Sequence, residues 1–198
     1  MVLAVAGGVL LWHGVHPELP SGAPLPALPF DHRRADTPEP ATPVASPAHP
    51  AYGPNRLGIP SLGVDAPLVA EPVGAGGELV IPGDPATVGW WQEGPPLGAS
   101  RGTTLLAGHV SVAGLGDGAL AGLHRIEPGA LVVTTDGAGR TRTWRIDALV
   151  VRAKDDLPDF PATGPRQLAI VTCGGPLLRT PAGNTYRDNV IAYAAPVS

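Results

Sequence analysis

The pattern of apolar and polar residues along this chain changes character twice. Residues 1–12, MVLAVAGGVLLW, are apolar without a break. A helix needs about 20 such residues to cross a bilayer, and no Lys or Arg precedes the run as one would in a secretory signal. Residues 1–16 are therefore expected to be part of a membrane anchor or signal segment. From Pro17 to Pro50 there are ten prolines among Ala, Ser, Thr and scattered charges, with no apolar period to bury. Proline fixes its own torsion and extends its predecessor, so 17–53 is expected to be a disordered, semi-rigid spacer. Over 54–198 short apolar runs alternate with Gly and Pro turns: LGIPSLGVDAPLV, ELVIPG, TTLLAGHV, LVVTT, TWRIDALVV, QLAIVTC and NVIAYAA. That texture predicts an all-β barrel or sandwich. In TWRIDALV the residues Trp144, Ile146, Ala148 and Val150 alternate with Thr143, Arg145 and Asp147, as in a strand with one face on a core, and Leu149 is the misfit. DGAGR at 136–140 reads as a tight hairpin turn. GALAGLHRI at 118–126 is the one stretch with a helical look. There is no internal repeat, no glycine-rich phosphate loop and no β-α alternation.

Composition narrows the function. The 198 residues allow one domain with an appendage. A net charge of -4, with Lys and Arg scattered singly, provides no basic stripe for a phosphate backbone, so nucleic acid is not an expected partner. One cysteine can form neither an internal disulfide nor a paired-cysteine metal site. His13, His16, His32 and His49 fall in or near the spacer at irregular intervals and read as solvated. Asp155, Asp156 and Asp159 read as a solvated loop, since a hard cation needs more oxygen ligands than a charge run supplies. No cofactor and no metal are expected.

Two polar residues stand at the ends of otherwise apolar strands: His109 in TTLLAGHV and Cys173 in QLAIVTC. Singly, each has an ordinary reading, a strand histidine or a small buried hydrophobe. A thiol needs an imidazole or a cation beside it to be a useful nucleophile. Arg187 opens the next strand, YRDNVIAYA, although an Arg there is often only an edge-strand charge. Adjacent strands could bring the three together. A thiol nucleophile, an imidazole to protonate a leaving amine and a permanently charged guanidinium for an oxyanion form a set suited to acyl transfer.

Order and spacing make the set more specific. LAIVTC loosely matches the Thr-Leu-any-Thr-Cys strand end of the sortases, AGHV matches their histidine segment, and Arg187 stands where their arginine opens the last strand. GDPATVGWW at 83–91, followed by EGPPLG, also resembles the stretch ahead of that histidine. The sequence over about 54–195 thus resembles the sortase family of cysteine transpeptidases. The ending VTCGGP with YRDNVIAYA most resembles the actinobacterial class F group, and Lys154 as the only lysine suits a chain of high-GC origin. The resemblance implies a closed barrel of about eight strands with one or two short helices. It also implies the chemistry: Cys173 attacks the Thr-Gly bond of a Leu-Pro-any-Thr-Gly sorting signal, His109 protonates the leaving amine, and Arg187 holds the oxyanion. An amine acceptor of a peptidoglycan precursor then resolves the thioacyl enzyme on the outer face of the cell membrane, where the N-terminal segment anchors it. Thr172 is carried over as a substrate-side or oxyanion contact. Gly174 and Gly175 are expected to leave room for a substrate backbone.

The pattern departs from the family where an acidic residue often follows the histidine and valine; here Ser111 stands there, with Asp117 or Asp136 as substitutes. FPATG at 160–164 imitates a sorting signal, although Pro and Gly in a loop are ordinary turn residues. Alternatives are a peptidoglycan cross-linking cysteine transpeptidase, whose Ser-any-Gly-Cys loop VTCGG does not match, and a non-catalytic β-domain that binds cell-wall peptides.

Overall fold

The computed structural model describes residues 52–74, 79–181 and 183–197. The anchor expected over 1–16 and nearly all of the spacer expected over 17–53 lie outside these residues. Among the described residues the regular structure is almost entirely β: β1 (Arg56–Ile59), β2 (Val64–Glu71), β3 (Val88–Trp91), β4 (Thr103–Gly108), β5 (Ser111–Val112), β6 (Gly116–Asp117), β7 (Leu131–Thr135), β8 (Thr141–Ala153), β9 (Gln167–Thr180) and β10 (Gly183–Pro196). Two single-turn 3-10 helices, Pro60–Leu62 and Leu123–Arg125, complete it. The helical expectation over 118–126 is therefore met only by the short turn at its end, and the run LGIPSLGVDAPLV is divided by a turn at Pro60. ELVIPG contributes no strand among its described residues, only the isolated bridge between Val73 and Leu79.

Eight strands close into a barrel in the order β1-β2-β3-β4-β9-β10-β8-β7, the closed all-β architecture expected. Closure removes the open edges of the barrel itself, and β9 and β10 run on past it as a two-stranded ribbon. Two of the pairings, β2 with β3 and β4 with β9, are parallel, made possible by the long connections over residues 72–87 and 109–166.

The interior is filled by Leu57, Ile59, Leu68, Val88, Leu106, Trp144, Ile146, Leu168, Ile170 and their neighbours. Trp144 is buried with its indole N–H donated to Thr134 Oγ1 at 2.9 Å, which satisfies the one polar atom it brings inside. The Leu149 misfit has a structural cause. The pairing of β8 with β10 slips between Tyr193↔Ala148 and Ala194↔Ile146, so Asp147 is an extra residue that reverses the alternation. Trp144 and Ile146 face the interior before it, and Leu149 packs on the same interior after it.

The DGAGR hairpin is fastened by its aspartate. Asp136 Oδ1 accepts the backbone N–H of Ala138 and of Arg140, each at 3.0 Å, and Oδ2 accepts Arg140 Nε at 2.9 Å. Arg140's hydrogen bonds hold the Asp136 carboxyl below the usual carboxylate range against a smaller opposing effect of burial.

Candidate active site

The parallel pairing of β4 with β9 brings distant parts of the chain level. It runs Thr103↔Gln167 through Ala107↔Val171, a constant offset of 64 residues, the same offset that separates Thr172 from Gly108. Two residues beyond the last pair, the register brings His109 level with Cys173. The parity also matches: Leu105, Ala107, Ala169 and Val171 form an apolar cluster with Ile191, distinct from the barrel interior, and His109 and Cys173 continue their odd-numbered face. Both residues border the same two clefts.

Thr172, between them in parity, is buried. Its hydroxyl donates to Gly108 O at 2.8 Å. This bond ties the residue before the cysteine to the residue before the histidine. Thr172 also borders the first cleft, but its hydroxyl is already engaged between the strands.

His109 takes its orientation from a group that the sequence did not indicate. Its Nε2 lies 2.9 Å from Pro82 O. A carbonyl can only accept, so Nε2 carries a proton and Nδ1 is left to exchange one. Neither proposed acidic substitute takes that place. Asp136 is engaged in its hairpin, where Arg142 also reaches it at 3.5 Å, and borders a recess without His109. Asp117 does border a cleft with His109. Ser111, at the position of the missing acid, shares a 3.0 Å hydrogen bond with Tyr186 Oη.

Arg187 sits at an irregularity. The pairing of β10 with β9 jumps from Tyr186↔Leu177 to Asp188↔Gly174, so Arg187 alone spans Gly175 and Pro176. Its guanidinium forms a fork on the next carboxylate, Nε to Asp188 Oδ1 at 2.9 Å and Nη2 to Oδ2 at 2.8 Å. The Arg187 side chain is 59% exposed and that of Asp188 8%. These hydrogen bonds hold the Asp188 carboxyl below its ordinary range and raise Arg187 further. Arg187 borders neither of the two clefts. The fold thus brings Cys173 and His109 together and leaves the Arg187 guanidinium turned to Asp188.

The glycines after the cysteine have a role other than the one expected. Gly175 has φ of +72°, and a Cβ there would collide with the Asp188 carboxylate. A Cβ on Gly174 would press on the Val190 side chain. The space these glycines leave is occupied by β10, not kept for a substrate.

The two clefts differ in lining. The first, about 550 Å³, has Leu79, Ile81, Ala107, Leu157 and Val171 beside His109 and Cys173. The second, about 580 Å³, opens between the β5–β6 hairpin and the β9–β10 ribbon. Lys154, just past the end of β8, borders both. Asn189, paired across strands with Cys173, borders the first. Sequence reasoning singled out neither residue for the site, because their placement depends on strand register. In FPATG, Phe160 packs against the outer apolar cluster, while Pro161 O accepts Thr103 N–H and Gly164 O accepts Gly102 N–H, at the start of β4, about 20 Å of strand from the Cys173 end of β9. That separation removes the Thr163-Gly164 bond from reach of the thiol.

A family profile described as Sortase domain matches residues 57–197. The chain belongs to the sortase family. The sortase barrel is also shared with solved structures. Sortase A from Corynebacterium diphtheriae, as a lid mutant, superposes with a TM-score of 0.55 at 16% identity, covering 72% of this chain and 69% of that one. Sortase C-1 from Actinomyces oris gives 0.54 at 16% identity, covering 72% of each chain. A sortase D5 transpeptidase of Clostridium perfringens gives 0.53 at 15% identity, covering 72% and 78%. No match was found among curated proteins. Membership implies a cysteine transpeptidase that works outside the cytoplasm on sorting-signal substrates and cell-wall amine acceptors.

Proposed function

We propose that this sortase cleaves a Leu-Pro-any-Thr-Gly-like sorting signal between Thr and Gly and transfers the new acyl group to an amine of a peptidoglycan precursor. The observation that carries this reading is the shared outer face of His109 and Cys173, set by the register of β4 and β9. The Leu-Pro part of the signal lies in the apolar cleft over Ala107 and Val171, where it removes apolar surface from water. Cys173 passes its thiol proton to His109 Nδ1, and Sγ attacks the threonine carbonyl carbon. The tetrahedral oxyanion collapses, the C–N bond breaks, and His109 gives its proton to the departing glycine amine. Arg187, two residues before the cysteine's cross-strand partner Asn189, turns from Asp188 to the oxyanion. Thr172 acts as a clamp that keeps the ends of β4 and β9 at a fixed separation. In the second half the acceptor nitrogen attacks the thioester and gives a proton to His109, and Cys173 leaves as thiolate.

The class F affinity rests on VTCGGP and YRDNVIAYA, and the anchored location on the apolar run at 1–12. The domain reading is an anchor over 1–16, a spacer over 17–53 and a catalytic domain over 54–198. Intact mass after incubation with a Leu-Pro-Ala-Thr-Gly peptide and acid quench tests the chemistry. An added mass equal to the peptide up to its threonine, absent in Cys173→Ala, is the expected result. No adduct, with a thiol that alkylates only after unfolding, would sink the reading and favour a binding domain.

A further inference from the structure

One short run of chain serves both the apolar cleft and the imidazole. Residues 79–85 belong to the connection between β2 and β3. Leu79 and Ile81 wall the cleft that His109 and Cys173 border, and both pack against the outer apolar cluster. The next residue, Pro82, places its carbonyl 2.9 Å from His109 Nε2. This run is tied firmly after Pro82. Asp84 Oδ1 accepts Ala86 N–H at 2.9 Å and Oδ2 accepts the Thr87 hydroxyl at 3.0 Å. Pro85 O accepts Ala119 N–H at 2.8 Å, and the adjoining Leu120 N–H donates to His109 O at 3.1 Å, so one segment holds both the root of the run and the backbone of the histidine. Before Pro82 the ties are lighter, an isolated bridge from Leu79 to Val73 and a 3.4 Å bond from Val80 N–H to Pro72 O. The Pro82 ring rests on β3 at Gly89, where a Cβ would lie 3.1 Å from Pro82 Cδ and 2.8 Å from Glu71 Cγ. Gly89 pairs with Ala107, two residues before His109. The missing side chain is thus a seat that sets the height of the Pro82 carbonyl over the histidine strand.

We propose that residues 79–82 form an arm coupling the apolar cleft to His109: a side chain that fills the cleft against Leu79 and Ile81 holds Pro82 O on Nε2, so the aliphatic residue of the signal is read in the rate of acylation more than in binding. The inference rests on the transpeptidase reading given above. Pro82 is a positioning residue, acting through the imidazole. With Nε2–H held by the carbonyl, the ring presents Nδ1 for proton exchange; a ring that turns freely does so only part of the time. A bound peptide favours the engaged position only if it touches something that moves with it. Leu79 and Ile81 meet that condition, because they lie within three residues of the carbonyl on the same lightly tied stretch. Contact energy at a distance from the scissile bond then goes into catalytic geometry. Val171, on the floor of the cleft in β9, lies outside the arm and bears on binding instead.

The test follows single-turnover acylation of the full chain by acid quench and intact mass, with Leu-Pro-Ala-Thr-Gly and Ala-Pro-Ala-Thr-Gly peptides. For the alanine peptide the limiting rate is expected to fall at least about tenfold, while the half-saturating concentration rises less than about threefold. Gly89→Ala sets a methyl group against the Pro82 ring; Glu71 can swing aside, whereas the proline ring moves only with its chain. This variant should lower the limiting rate for the leucine peptide about tenfold and bring the two peptides within about twofold of each other. Asp84→Ala should do the same by releasing the root, and Asp84→Asn, which keeps an acceptor oxygen, should stay near wild type. The two lesions act at different points, so either variant that melts as a folded protein suffices. A second readout needs no peptide: the His109 Nε2–H proton resonance, sheltered by its carbonyl, should be sharp in the wild type and Asp84→Asn and broadened or lost in the other two. An alanine peptide that moves only the half-saturating concentration, or Gly89→Ala and Asp84→Ala with wild-type rate and resonance, would overturn the inference and leave the transpeptidase reading standing. Absence of any acyl enzyme in the wild type would overturn both.

Discussion

The inner and outer faces of β4, β9 and β10 are built from alternate residues of the same strands and serve different ends. Inside, Leu106, Leu168, Ile170, Val190 and Ala192 join the barrel core. Outside, Leu105, Ala107, Ala169, Val171 and Ile191 form a smaller cluster, which leads into His109 and Cys173. A change of parity by one residue therefore moves a side chain from a stabilising role to a place on the floor of the site. Interior variants should alter the folded fraction and spare the chemistry of each folded molecule; outer-face variants should do the reverse.

The largest effect should come at the outer end. Cys173→Ala is expected to remove adduct formation and turnover altogether, while the thermal midpoint stays within about 2 °C, because a half-exposed thiol contributes little packing. A large fall in the midpoint would assign Cys173 to the core. Next is the interior: Leu106→Ala should cost about 3 kcal/mol in a denaturant titration, the range for a buried leucine truncated to a cavity, with kcat per folded molecule unchanged. Arg187→Ala should then lower kcat about a hundredfold, as for a lost oxyanion donor; wild-type turnover would remove Arg187 from the mechanism. Val171→Ala should be mildest in stability, about 1 kcal/mol, and should raise KM for the sorting peptide more than it lowers kcat.

Acid should affect the framework through two carboxylates. Asp136 and Asp188 both have folded-state values held below the ordinary range, by hydrogen bonds from Arg140 and Arg187. A depressed carboxyl contributes stability in full above its unfolded value of about 3.9, and that contribution is lost as pH falls through the folded value. The unfolding midpoint should thus decline from about pH 5 downward. In Asp136→Asn the decline should be shallower. An unchanged acid profile would show that the Asp136 hairpin contributes nothing to it.

The strand pattern was largely legible because Gly and Pro turns bracket runs of the right length, and the site because His109 and Cys173 end such runs. Three things were not legible, for one physical reason. Leu149 defied the alternation because Asp147 bulges out of the pairing with β10. Arg187 faces Asp188 because the pairing of β9 with β10 slips beside it. Lys154 and Asn189 reach the clefts only through strand register. A bulge is one residue out of step, and composition carries no mark of it until the partner strand is known. The Pro82 carbonyl that orients His109 is a backbone group, so its side chain type offers no cue.

The offset of 64 residues between the paired positions of β4 and β9 also sets the order of events in the life of the molecule. The thiol and the imidazole belong to segments that meet only across a long excursion of chain, and closing such a loop is among the slower steps of assembly. Until it closes, Cys173 is an ordinary cysteine with no imidazole level with it. A newly exported chain would therefore pass through a latent period, and the onset of activity would signal that the barrel is complete.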